Sequence, residues 1–402
     1  MPAHVILGVG AGISAYKACE LLRLLTESGH QVRVVPTPDA LRFVGEPTWA
    51  GLSGQPVATG VWTDIALAPH VKLGQSADLV LVVPATADLL ARTAAGMADD
   101  LLTATLLTAT CPVVYAPAMH TEMWQHPATR ANVKTLRERG AIVIEPAAGR
   151  LAGPDTGPGR LPDPAELFAV ATHVLGGRTP DLNGRRVLVS AGGTREELDP
   201  VRFIGNWSSG IQGYALARTA VARGAEVTVV AANVTLADPA GAKVIRVVSA
   251  REMDEVIRQA APAADAIVMA AAVADYRPER RHDSKIKKDG GAPGPLYLVE
   301  NPDILAGLAQ GPGRDGQVLV GFAAEINVDA AQARAKLSRK GCDLLVVNPV
   351  GGGLGFGTTD NEAVIYGADG SATQVPRGPK DELADIVWDL VADRLSGQHE
   401  SG

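Results

Sequence analysis

The chain of 402 residues has only three cysteines, Cys19, Cys111 and Cys342, and no CxxC spacing. This excludes a disulfide framework and a cysteine-built zinc cluster, so each thiol reads as a small buried hydrophobe. Aromatic residues are scarce, 4% of the chain against 46% hydrophobic residues in all, so Ala, Val and Leu must do the packing. Such cores suit helices layered on sheets better than an aromatic-rich β-sandwich. No apolar run approaches the roughly 20 residues that cross a bilayer. No charged or apolar leader precedes the first strand pattern, so the expectation is a soluble, cytoplasmic protein with no membrane partner. Neither sign of charge dominates, since the net charge is −7 with both signs interspersed. That argues against nucleic acid as a partner and leaves room for a local anion site.

What is present is alternation. Residues 5–9 read as a buried strand, 15–27 as a helix and 31–35 as the next strand. Further strands are expected at 77–83, 113–116 and 141–144, with a helix at 127–139. Crossovers of this length join parallel strands, which predicts an open, doubly wound α/β sheet. Residues 149–159 are rich in Gly and Pro and read as irregular. A helix from Asp163 to about Val174 follows, and a Gly- and Pro-containing stretch at 176–180 punctuates the chain. A second α/β pattern then starts with a strand at 186–190, a long polar loop at 191–213 and a helix to about Arg223. Strands at 226–231, 266–269, 319–322 and 344–347 alternate with helices at 250–260 and 330–340, and an amphipathic helix at 380–395 closes the chain. The reading is two Rossmann-like open-sheet domains, 1–178 and 183–395.

Gly8, Gly10 and Gly12 turn a strand into a helix, where backbone N–H groups and the helix dipole favour a phosphate. The dinucleotide fingerprint is incomplete, and Pro36-Thr37-Pro38 offers no acidic ribose partner, which disfavours NAD and leaves a mononucleotide open. Pro84–Asp88, Gly96–Leu101 and Pro117–Met119 end strands or follow them, so in such sheets they share one crevice. With His70, these segments resemble the homo-oligomeric flavin-containing cysteine decarboxylases, over about the first 175 residues and in the same order. The resemblance implies a flavodoxin-like domain that holds FMN between the Gly10, Gly12 and Ser14 turn, Thr37, Thr86, Met97 and Asp99. It also implies trimers or dodecamers, His70 as a catalytic histidine, and oxidation of a cysteinyl thiol that lets carbon dioxide depart. Two positions differ from the family. His120 follows Met119 where the family usually has Asn, and Ala152 or its neighbour stands where a flap cysteine donates a proton. His120 or a flap residue is the expected substitute. A second reading, a flavoprotein half that is impaired or only structural beside an active ligase, follows from the missing flap cysteine.

In the second half, residues 191–210 carry a Gly-rich turn and a polar run, including Arg202 and Asn206, that feeds a helix N-terminus suited to an anion. Ser209 alone would suffice as a cap. Asp275 ends a strand, where a carboxylate can hold Mg2+ or a ribose hydroxyl. Lys285, Ile286, Lys287 and Lys288 form a charged run, and Asn301, Pro302, Asp303 and Ile304 begin a helix. Together with residues 321–325 these segments resemble the CTP-using bacterial phosphopantothenate–cysteine ligases over roughly 183–392. The resemblance implies dimeric ligase domains acting on 4'-phosphopantothenate, L-cysteine and CTP through an acyl-cytidylate. Arg202 and Asn206 would act on phosphopantothenate and its acyl-cytidylate. Asp275, Lys285, Asn301, Pro302, Asp303, Ile304, Phe322, Lys336 and Lys340 would contact CTP, with Mg2+ at Asp275 and Lys285 offsetting phosphate charge. Lys336 and Lys340 stand one helical turn apart and face the same way.

Overall fold

The computed structural model describes residues 2–60, 68–150, 155–176, 181–287, 295–311, 314, 316–326, 329–350 and 358–397. The chain divides into two units, the first comprising Met1–Gly184 with Ala220–Glu226 and Pro239–Ala242, the second the remainder.

The first unit is built on strands β1 (His4–Val9), β2 (Gln31–Pro36), β3 (Leu79–Ala85), β4 (Val113–Pro117) and β5 (Ile142–Val143). They pair in parallel in the order β2-β1-β3-β4-β5. All seven residues of β3 are buried, as expected of a parallel strand covered on both faces. Helix Ala15–Glu27 buries Ala15, Ala18, Leu21, Leu22 and Leu25, the stripe of an amphipathic helix. Helix Leu101–Thr108 starts from a capping box in which Asp100 and Thr103 satisfy each other's backbone N–H. Val80, Val82, Leu89, Leu90, Leu102, Tyr115 and Trp124 form the core against this face of the sheet. Burying such side chains contributes roughly 1.5–3 kcal/mol apiece.

The stretch read as irregular at 149–159 is instead partly a ribbon, β6 (Ala147–Arg150) against β7 (Thr156–Arg160). A two-stranded ribbon pairs each strand along one edge only, so Pro158 is tolerated there. Gly149 and Gly159 adopt φ of 149° and 150°, which side chains rarely allow. Ala152 lies outside the described residues.

The second unit contains β8 (Arg186–Gly192), β9 (Arg195–Glu197), β10 (Phe203–Gly205), β11 (Glu226–Ala232), β12 (Ala242–Val247), β13 (Ala266–Met269), β14 (Tyr276–Pro278), β15 (Leu298–Glu300), β16 (Val318–Glu325), β17 (Leu344–Pro349), β18 (Asp360–Gly367) and β19 (Ala372–Pro379). The large sheet runs β12-β11-β8-β13-β16-β17-β18-β19, while β9 pairs with β10 and β14 with β15 as separate ribbons. Strands β8, β13, β16 and β17 are mutually parallel, and β18 and β19 add antiparallel. The expected long loop at 191–213 therefore encloses a short ribbon, because its three-residue strands are too brief to show a period in sequence. Leu188, Val230, Met253, Ile257, Ile267, Leu319 and Leu345 make the core. No helix among the described residues is long and apolar enough to cross a membrane.

Candidate functional site

Each unit gathers its polar turns at the carboxyl ends of parallel strands. In the first, Gly10 follows β1, Thr37 follows β2, Thr86 follows β3 and Met119 follows β4. The Gly10 N–H donates to Pro84 O at 3.0 Å, and a Cβ on Gly10 would come within 2.5 Å of that oxygen. Two strand ends can meet this closely only through glycine. Gly12 and Ser14 lead into the 13-residue helix Ala15–Glu27, which has no side-chain cap from Ser14, while the Ala15 and Lys17 N–H groups turn back to Gly12 O and Ser14 O at 2.9 and 3.0 Å. Thr37 is only 5% exposed, yet its Oγ1 has no hydrogen-bond partner. An orphaned buried hydroxyl, a helix N-terminus without a side-chain cap and a glycine cradle suit a phosphate-bearing mononucleotide.

Thr86 caps helix Ala87–Ala95, accepting from the Leu89 N–H at 3.2 Å. Beyond that helix, Met97 is exposed, and Asp99 lies beside Arg92 with 3.0 Å between Oδ1 and Nη1. His70 sits in the first turn of helix Pro69–Ser76. Its carbonyl accepts from Thr108 Oγ1 at 2.8 Å, and its buried Nδ1 has no partner. His120 is exposed and starts helix Thr121–Gln125. The ribbon is fastened beside it, with the Met119 N–H donating to Gly159 O at 3.0 Å. A separate cavity of about 490 Å³ lies at the amino ends of β1 and β2, lined by residues such as His4, Arg33 and Lys72 and by none of these turns.

The second unit holds a cavity of about 780 Å³ at the carboxyl ends of β13, β16 and β17. Its lining brings together Asn206, Asp275, Asn301, Pro302, Asp303, Ile304, Phe322, Lys336 and Lys340, nine of the residues singled out from sequence. Buried hydroxyls fix the walls: Ser190 Oγ accepts from the Ala271 N–H at 3.0 Å, and Thr194 Oγ1 from the Ala274 N–H at 2.9 Å. Asn206 Nδ2 donates to Val273 O at 3.1 Å, and Asn301 Nδ2 to Ala274 O at 2.9 Å. Both lysines carry an acid partner, Lys336 Nζ with Glu325 at 2.8 Å and Lys340 Nζ with Asp303 at 2.5 Å. Burial works to raise the Asp303 pKa, but Lys340 and the Ala306 N–H outweigh it and hold the carboxyl below its usual range.

Arg202 and Lys285 are not in that lining. Lys285 is exposed, and Arg202 Nη2 donates to Ile286 O at 2.5 Å while pairing with Asp199 at 3.0 Å. Asp199 is 1% exposed and accepts from the N–H groups of Val201, Arg202 and Ile286 at 2.8, 2.9 and 3.1 Å. Burial alone would raise its pKa, and these donors with Arg202 bring it below the usual carboxylate range. A depressed folded pKa stabilises above the ordinary carboxylate value near 4 and ceases to do so as pH falls through the lower one. Calorimetry over a pH series is therefore expected to show Asp199→Asn melting lower than the parent at pH 7. The gap should narrow towards acid, and a constant gap would count against this assignment.

Sequence reading missed Arg339, Asn348, Asn361 and Lys380, which also line the cavity. Arg339 had a signal, three residues from Lys336 on one helix. So did Lys380, a base in the first turn of helix Lys380–Gly397, against the helix dipole. It is 4% exposed, and burial lowers its pKa. Among the described residues no group of three or more His, Cys, Asp or Glu is placed to hold a metal ion. A lone Asp275 suits Mg2+ that arrives held mostly by substrate phosphates. Of the cysteines, Cys342 is buried, and burial pushes its thiol to about 11, while Cys19 and Cys111 are half-buried.

Comparison with known proteins matches residues 1–176 to the flavoprotein family model and residues 182–395 to the DNA/pantothenate metabolism flavoprotein C-terminal domain. The coenzyme A biosynthesis bifunctional protein CoaBC of Mycobacterium tuberculosis (strain ATCC 25618 / H37Rv) is 54% identical over 409 residues, covering 99% of this chain and 98% of that protein. The protein of the same name from Vibrio cholerae serotype O1 is 42% identical over 395 residues, covering 97% and 98%. A crystal structure of the C-terminal domain of a CoaBC protein is 34% identical, covers 55% of this chain and 100% of that chain, and has a TM-score of 0.47.

Proposed function

Because the chain belongs to the family of coenzyme A biosynthesis bifunctional proteins, with ligase and decarboxylase activities and a flavin cofactor, we propose a residue-level reading of its two sites. In that reading 183–395 is a CTP-dependent ligase domain that joins 4'-phosphopantothenate to L-cysteine, and 1–178 is the FMN domain that decarboxylates the product to 4'-phosphopantetheine. The observation that carries it is the 780 Å³ cavity, which collects amide, carboxylate and ammonium groups from separate segments of the chain at the carboxyl ends of one sheet.

A carboxylate is a poor electrophile, so CTP converts it to a mixed anhydride and pyrophosphate leaves. Lys336 and Lys340 hold the triphosphate, Asp275 holds its Mg2+, and Asn301 to Ile304 with Phe322 frame the nucleotide. Asn206 holds the acyl-cytidylate for attack by the cysteine amine. Arg202 and Lys285 act from the loops that Asp199 ties together.

In the first unit Gly10, Gly12, Ser14, Thr37, Thr86, Met97 and Asp99 hold FMN, which when bound supplies a two-electron oxidation and re-reduction of the substrate's cysteinyl thiol. His70 moves protons, a role that an imidazole suits near neutral pH. His120, beside the ribbon, steadies the substrate carboxylate and donates the last proton. Exposed Ile13, Tyr16 and Met123 near these turns support a flavin site completed by neighbouring subunits, and exposed Val201, Phe203 and Trp207, the last 85% exposed, support pairing of ligase domains. The proposed setting is a homo-oligomer in the cytoplasm.

One reaction tests the whole: phosphopantothenate, cysteine, CTP and Mg2+ with the purified chain, products followed by mass. Phosphopantetheine is expected. Accumulation of phosphopantothenoylcysteine alone would favour a first unit that is only structural. Gly10→Ala is expected to weaken FMN binding at least about tenfold through the Pro84 clash. A fluorescence titration unchanged by it would remove this turn from the site.

A further inference from the structure

Arg92 has no role in the chemistry described, yet it is the most heavily engaged cation near the flavin turns. It sits in helix Ala87–Ala95, with its side chain 18% exposed. Its Nε meets Asp88 Oδ2 at 3.0 Å, and its Nη1 meets Asp99 Oδ1 at 3.0 Å and Asp100 Oδ2 at 2.9 Å. Asp88 lies two residues beyond Thr86, at the start of the helix, and Asp99 and Asp100 lie past its end. One guanidinium therefore spans the helix from one expected flavin contact to the other.

The segment it fastens has few other constraints. Gly96 ends the helix in the left-handed region, and the Met97 N–H closes back on Arg92 O at 3.0 Å. Asp100 is committed to the next helix, accepting from the Thr103 N–H at 2.8 Å, so it is a fixed post. Asp99, by contrast, is half-exposed, and among the described residues its other side-chain partner is Thr103 Oγ1, at a long 3.4 Å. Without the Arg92 guanidinium, Asp99 loses its close side-chain partner, and the Met97–Asp99 stretch is tied to the helix by backbone bonds alone.

We infer that Arg92 is a positioning residue for the flavin: it sets the spacing between Thr86 and the Met97–Asp99 segment, and keeps Asp99 turned as an acceptor. The inference rests on the reading that these two segments hold FMN. Arginine suits the post because its planar fork reaches three carboxylates at once, which a lysine ammonium cannot do in the same geometry. Arg92 also holds the Asp99 carboxyl below its usual range, consistent with an ionised acceptor.

The test uses the full-length chain stripped of flavin. FMN is titrated by fluorescence quenching into the parent, Arg92→Met, Arg92→Lys and Gly10→Ala, and visible circular dichroism is recorded at saturation. Arg92→Met is expected to bind FMN about 10- to 100-fold more weakly, and Arg92→Lys to fall between it and the parent. The bound flavin's dichroism should change in both, which mere loss of stability would not produce. Affinity within twofold of the parent, with an unaltered spectrum, overturns the inference. If Arg92→Met fails to fold, Arg92→Lys decides on the same criteria. A parent that binds no FMN, or a Gly10→Ala chain that binds it normally, would fault the site reading itself and not the role of Arg92 within it.

Discussion

Asn206→Asp is expected to halt the ligase between its two chemical steps, with acyl-cytidylate accumulating and amide product falling about 10²- to 10³-fold. Asn206 has two amide N–H donors, and one is already given to Val273 O at 3.1 Å. The other has no partner among the described residues and is the donor proposed for the acyl carbonyl, whose oxygen gains charge only when the cysteine amine attacks. In the proposed mechanism activation by CTP develops its charge on phosphate oxygens instead, the groups assigned to Lys336 and Lys340. An Asp at 206 removes the donor and adds a repelling charge, so the second step suffers far more than the first. Rapid quench with mass detection reads both species. Amide formed at the parental rate would remove Asn206 from the acyl-transfer step.

The second large effect is expected from Lys336→Gln combined with Lys340→Gln. Each lysine approaches the cavity already paired, with Glu325 and with Asp303. An ammonium has three donors, so one carboxylate leaves two for phosphate oxygens. A charge-assisted hydrogen bond contributes about 1.5–3 kcal/mol, which makes each lysine worth about 10- to 100-fold in CTP affinity. The double variant also strips Glu325 and Asp303 of their lysine partners, leaving less compensated negative charge facing the proposed triphosphate. The KM for CTP should therefore rise by about 10³-fold, while that for phosphopantothenate changes little. Adding Glu325→Gln should recover part of the loss and so separate attraction lost from repulsion gained. An unchanged KM for CTP would clear these lysines of the role.

The parallel strands were legible because burial on both faces makes them near-continuous apolar runs, as in Leu79–Ala85. The ribbons were not. Gly149, Pro158 and Gly159 disguise one as a loop, and three-residue strands such as Phe203–Gly205 are too short to show a period of two. Helix Leu101–Thr108 escaped notice for another reason. Its run of Leu and Thr has no polar face to alternate with, and the capping pair Asp100 and Thr103 was the available clue. At the sites, residues at strand ends could be picked out because the sheet type dictates where ligands go. Asn361 could not, because it reaches the cavity from a late antiparallel strand, distant in sequence from most of the other lining residues.

The strand order has a consequence for synthesis. In the first sheet β1 is made first, β2 joins one side of it, and β3, β4 and β5 extend the other in turn. In the larger sheet β8 comes first, β11 and β12 extend one side, and β13, β16, β17, β18 and β19 extend the other in chain order. Every newly emerged strand thus finds an open edge, and none has to wedge between two that are already paired. A ribosome releasing this chain can lay down both sheets outward from their founding strands, with one margin set early by β2 or β12 and the other advancing as each later strand emerges.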